Sequence, residues 1–168
     1  MKTLIAYYSR KDENYINGTL KYIDKGNTEV IAGYIHSLLG GDVFKIEQKV
    51  PYSPIYNECI EQARIDKLNK NKPELVSYLD DISSYDEIYL GFPNYWGSFP
   101  MAVASFLSRY DFSNKIIHPF ITHEGSGVGH SIVDLVSIIP SSNIKEALAI
   151  YGHKVNASKK EVEEWINK

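Results

Sequence analysis

One cysteine, Cys59, is all that 168 residues contain, which excludes an intramolecular disulfide framework and any zinc site built from cysteine pairs within the chain. It reads as an inert thiol. No block of basic residues interrupts a formal charge of -3, so the electrostatic footprint of a nucleic-acid-binding protein is missing. Nucleic acid is not an expected partner. No stretch approaches the roughly 20 apolar residues of a membrane span, and Ser9-Arg10-Lys11-Asp12 cuts the first apolar run too short for a secretion signal. The expectation is a cytoplasmic protein with no membrane partner. Neither a Gly-Lys-Ser/Thr phosphate loop nor a GxGxxG followed by an acid occurs, which leaves ATP and NAD pockets of the usual kind unsupported. No serine-histidine-acid order and no metal-ligand spacing stand out, so neither a catalytic residue nor a metal site is assigned.

What is present is an alternation of apolar runs and amphipathic stretches. Lys2 to Tyr8 is too apolar to alternate, as expected of a strand covered on both faces. After a loop from Ser9 to Gly26, apolar residues from Val30 to Leu39 recur at helical spacing and Gly40-Gly41 ends the helix. Asp42 to Gln48 reads as a second strand. Tyr56, Ile60, Ala63 and Leu68 share one face of a peripheral helix that ends near Asn71. Glu87 to Phe92 is a third strand, followed by a loop to Pro100 and a strongly apolar helix. Lys115 to Thr122 is a fourth, with Pro119 implying a bulge or local break, and Ile144 to Tyr151 a fifth. Ser158 and Glu161 have the spacing of a capping box for the last helix.

This alternation predicts one domain over residues 1–168, a three-layer α/β/α sandwich on a five-stranded parallel sheet of order 2-1-3-4-5. Ligands in such sheets lie beyond the carboxyl ends of the strands. Three unusual loops leave those ends. The first offers Ser9, Arg10, Gly26, Asn27 and Thr28 at a helix start, where unpaired N–H groups suit a phosphate. The second, Pro93-Asn94-Tyr95-Trp96-Gly97, sets two aromatic rings in a turn. The third, Thr122-His123-Glu124-Gly125-Ser126 and onward, can bring backbone N–H groups to a heterocycle edge. His123 and Glu124 are adjacent in an extended loop and point apart, so they do not read as an acid/base couple; His153 reads as a packing or surface residue.

The YYSR strand end with GNTEVIA, the GFPNYWGSFP loop, the THEGSG loop and the final EEWI segment together resemble a flavodoxin, in particular the short flavodoxin-like proteins. The resemblance spans nearly the whole chain. It implies noncovalent FMN, with the phosphate at Ser9, Arg10, Gly26, Asn27 and Thr28. The flavin would be flanked by Pro93, Asn94, Tyr95, Trp96 and Gly97 on one side and by Thr122, His123, Glu124, Gly125 and Ser126 on the other. A backbone carbonyl near Gly97 would accept from the ring's N5 proton. The chain departs from the family pattern in an insert from Lys11 to Lys25, from which Asn14, Tyr15 or Thr19 can fold over the cofactor. The implied function is electron transfer or a flavin-dependent oxidoreductase of the NAD(P)H:quinone type. Its partners would be a redox protein or a small-molecule electron acceptor, with NAD(P)H and a homodimer left open. A non-redox binding or signalling module that has lost its cofactor is the alternative.

Overall fold

In the computed structural model, which describes residues 1–168, strand β1 (Thr3–Tyr7) has all five residues buried, because helices cover both of its faces. Side chains alternate across the strand. Leu4, Ala6 and Tyr8 therefore join one apolar cluster, while Ile5 and Tyr7 join the other. Parallel neighbours flank it: β4 (Asp42–Lys45) on one side and β5 (Glu87–Pro93) on the other. Strand β6 (Ile116–His123) pairs in parallel with β5, and two short pieces, β7 (Asn143–Ile144) and β8 (Leu148–Tyr151), pair in parallel with β6. The parallel order expected from the sequence holds, except that the fifth strand is divided.

Pro119 explains the division. The N–H of Asn143 donates to the Lys115 carbonyl and that of Lys145 to the Ile117 carbonyl, so odd-numbered residues of β6 face the fifth strand. Pro119 falls in that series and has no N–H to give. β6 itself runs on without a bulge, and its partner leaves the sheet between Ile144 and Leu148. The break foreseen at Pro119 thus occurs in the neighbouring strand.

Helices α1 (Asn27–Leu39) and α5 (Lys159–Ile166) cover one face of the sheet through Ile31, Ile35, Val162 and Trp165. Helices α3 (Met101–Leu107) and α4 (Ser131–Ile138) cover the other through Val103, Phe106, Leu107 and Leu135. Helix α2 (Tyr56–Leu68) is peripheral and buries only Cys59 and Ala63. The last helix lacks the capping box. A 3-10 turn, Gly152–Ala157, runs straight into it, and the Ser158 hydroxyl donates back to the Val155 carbonyl at 2.7 Å.

The stretch read as a loop between Ser9 and Gly26 holds an antiparallel hairpin, β2 (Asp12–Ile16) and β3 (Thr19–Ile23). Asn17 and Gly18 form its two-residue turn with φ of 49° and 84°, the left-handed pair that a type I′ hairpin requires. Isolated hairpins are marginal in water. This one is held down by Glu13, whose N–H donates to the Pro54 carbonyl and whose carboxylate accepts from the Tyr56 N–H at 2.9 Å. Stacking of Tyr15 on Tyr56, centroids 6.2 Å apart, adds an aromatic contact.

Candidate functional site

The chain leaves β1 through Tyr8 and Ser9, and the Ser9 hydroxyl accepts the Glu29 N–H at 3.1 Å. The start of α1 lies against this turn so closely that a Cβ on Gly26 would sit 2.0 Å from Ser9 Oγ. Only glycine fits there. The N–H groups of Asn27 and Thr28, in the first turn, have no acceptor within the helix, and the positive end of the helix dipole lies with them. Thr28 is buried, its hydroxyl paired with that of Thr122 at 2.8 Å, which ties the first loop to the third.

Asn94 joins the second loop to the third. Its Nδ2 donates to the Gly127 carbonyl at 2.8 Å, its Oδ1 accepts from the Gly97 N–H at 2.9 Å, and its own N–H donates to the Thr122 carbonyl. Tyr95 to Ser98 form a tight turn closed by reciprocal N–H to carbonyl bonds. Trp96 sits in it at φ +53°, a strained conformation for a bulky residue that the surrounding contacts must hold. Helix α2 supplies two of them: the Ile60 carbonyl accepts from Trp96 Nε1, and Lys67 Nζ donates to the Tyr95 carbonyl, both at 2.8 Å. Burial pulls the Lys67 ammonium down to about 8, opposed only by the carboxylate of Asp134. The Tyr95 ring meets Tyr8 edge-on at 5.8 Å. The carbonyl of Gly97 accepts the His130 N–H at 2.7 Å, which ties this turn to the start of α4.

In the third loop His123 Nδ1 accepts the Gly125 N–H, and its ring leans on Tyr151 with centroids 4.5 Å apart. Burial lowers its pKa, only partly offset by Glu124. Glu124 turns the other way. One carboxylate oxygen contacts His153 Nδ1 at 2.8 Å and the N–H of Asn17 at the hairpin tip at 3.3 Å. His153 lies at the surface, as expected, and does not line the cavity; it touches the site only through Glu124.

A cavity of about 370 Å³ lies among these loops, within the size range of small-molecule sites. Of the residues proposed from sequence, Arg10, Asn27, Pro93, Asn94, Tyr95, Trp96, Thr122, His123, Glu124 and Ser126 line it. Ser9, Gly26, Thr28, Gly97 and Gly125 do not; the first three shape the turn behind Asn27 instead. Asn14 and Tyr15 do fold over the cavity from the hairpin. The peripheral helix α2 supplies the far wall through Tyr56, Cys59, Ile60 and Ala63, and the floor at Gly152 had no signal in the sequence. A Cβ on Gly152 would lie 2.5 Å from Asn27 Nδ2 and 2.8 Å from Glu124 Oε1.

Three buried side-chain polar atoms lack a hydrogen-bond partner: Arg10 Nε, Tyr95 Oη and Glu124 Oε1. All three belong to residues that line this cavity. Leaving such a group unpaired costs about 1–3 kcal/mol, so a polar ligand that paired with them would recover that cost.

A family model described as flavodoxin matches residues 20–168. No curated protein matches the chain significantly in sequence. Among solved structures, a Bacteroides uniformis protein assigned provisionally as a flavoprotein is 26% identical with a TM-score of 0.78, over 99% of this chain and 98% of that one. A Lactobacillus acidophilus flavoprotein, solved in complex with FMN, is 20% identical with a TM-score of 0.63, over 98% of each chain. A Fusobacterium nucleatum flavodoxin bound to flavin mononucleotide is 14% identical with a TM-score of 0.52, over 99% and 96%.

Proposed function

The chain belongs to the flavodoxin family, and from that premise we propose that its rim cavity binds one FMN and that the protein acts in electron transfer or as a flavin-dependent oxidoreductase. The observation that carries the reading is that the three unpartnered buried polar atoms belong to residues lining one cavity at the carboxyl ends of the strands. Neighbours of the same fold solved with FMN support the identity of the ligand.

The residues present fit such a group. The free N–H groups of Asn27 and Thr28 at the α1 start, with the Asn27 amide beside them, suit a phosphate and the sugar-alcohol chain next to it. Glu124 Oε1 has no donor and suits a hydroxyl or ring N–H of the ligand. Pro93, Asn94, Tyr95 and Trp96 on one side, and Thr122 to Ser126 on the other, would hold a flat ring between two loops that Asn94 fixes together. When bound, FMN supplies one- and two-electron chemistry; the protein contributes orientation, electrostatics and exclusion of water. The Glu124 carboxylate, held by His153, places negative charge at the cavity, which disfavours added electrons on a ligand there. The hairpin over the cavity supports a small-molecule acceptor more than a docked redox protein.

Titration of the purified protein with FMN tests the reading by quenching of flavin fluorescence. One equivalent should bind tightly, and Gly26→Val should weaken binding at least tenfold, because its side chain must displace Ser9. A protein that ignores FMN overturns the proposal in favour of a non-redox module. Anaerobic mixing of the loaded protein with NAD(P)H then separates the roles: direct bleaching supports a reductase, none a carrier.

A further inference from the structure

The cavity has a further wall, formed by the hairpin and α2, that the flavin reading does not assign. Arg10 Nη2 donates to the carbonyls of Glu13 at 3.1 Å and Pro54 at 3.0 Å, which fixes the guanidinium between the hairpin and the segment before α2. No carboxylate pairs with it. Its neighbours in this nook are groups that are neutral at pH 7: Tyr8, Tyr56, Cys59 and Tyr95 all feel its charge. Burial holds each of their protons on more firmly, so none compensates the cation. A partly buried guanidinium with no anionic partner favours the arrival of one.

Two donors share the nook: Arg10 Nε, which has no partner, and the Tyr95 hydroxyl, which lies beside the Tyr8 hydroxyl and the Cys59 thiol. Around them stands an aromatic and aliphatic wall: Tyr15 stacked with Tyr56, then Ile60 and Ala63 of α2, and Trp96, whose ring is tied to α2 through Ile60. This wall suits the face of a flat ring. The two donors at its base suit a charged oxygen pair, for which arginine geometry is well matched.

We propose that the hairpin, α2 and the Tyr95–Trp96 turn form a second ligand seat within this same cavity, beside the cofactor, which takes a small aromatic carboxylate, its acid group held by Arg10 and Tyr95 and its ring laid against Tyr15 and Tyr56. This deepens the oxidoreductase reading and rests on it for its purpose: a molecule so placed is where the electron acceptor belongs. The seat itself is a statement about binding.

Calorimetric titration of the FMN-loaded protein with 4-nitrobenzoate and with its neutral match, 4-nitrobenzamide, tests it. The acid should bind at least tenfold tighter than the amide. Arg10→Gln should bring the ratio to about one, and Tyr95→Phe, which keeps the ring, should lower it three- to tenfold. Equal binding of the two probes by the wild-type protein, no binding of either, or a ratio that survives Arg10→Gln overturns the seat. Release of FMN by Arg10→Gln with the probe ratio intact assigns the guanidinium to the cofactor and overturns it as well. A wild-type chain that takes up no FMN fails the proposed function instead, and the probe ratio is then read on the cofactor-free chain.

Discussion

Lys67 illustrates how much one side chain carries at this site. Its ammonium grips the Tyr95 carbonyl from α2 and is held down to about 8 by burial, against an ordinary 10.5. Below pH 8 the folded and unfolded chains both carry the charge, and the folded chain bears the whole cost of burying it. Between about 8 and 10.5 the folded chain gives up the proton first, so the unfolded state binds more protons and stability rises with pH. Substitution by methionine removes that dependence. The unfolding free energy of Lys67→Met minus that of the wild type, measured in urea, should therefore fall from pH 7 to pH 10; a flat difference refutes the assignment. At this scale the family resemblance placed Asn27, Asn94 and Glu124 in three separate loops, and all three line the one cavity. Cys59, Ile60 and Ala63 were not legible one by one as site residues. Helical spacing marks a face, and the same spacing serves whether protein or a cavity lies opposite.

Among the elements, the parallel strands were readable because burial on both faces leaves an apolar run with no other explanation. The hairpin was not. Asp12, Glu13 and Asn14 give β2 no apolar face, and of its five residues only Ile16 is buried. Its one clear signal was Asn17-Gly18, the dipeptide suited to a two-residue turn. Gly18 at φ +84° tests what the hairpin does. Valine there costs about 1–3 kcal/mol of strain, which falls on the hairpin and on the Asn17 contact to Glu124. In Gly18→Val, FMN should dissociate several-fold faster while the urea midpoint followed by far-ultraviolet dichroism stays put. An unchanged dissociation rate would show that the hairpin does not cover the cofactor. The capping box failed for a related reason: a local motif presumes that an extended residue leads into the helix, and here a 3-10 turn arrives instead.

For the molecule as a whole, the two apolar clusters lie on opposite faces of one sheet, whose strands contribute alternate residues to each. A cavity cut into either face should therefore be felt across the structure. Phe106, fully buried and stacked on Phe44 at 5.6 Å, belongs to one face; Ile35, also fully buried, belongs to the other. Phe106→Ala should cost about 3–5 kcal/mol and Ile35→Ala about 2–5 kcal/mol in urea unfolding. Each variant should lose near- and far-ultraviolet dichroism in one coincident transition, and separate transitions would mean that the two layers fold independently.

The divided fifth strand has a consequence beyond topology. A sheet ends in a row of unpaired amides, and a long, straight row templates the growth of aggregates. Here one margin is four residues long, with Asp42 and Lys45 among them, and the other is cut in two where Pro119 withholds its bond. Neither border offers a stranger's backbone more than a few rungs to climb.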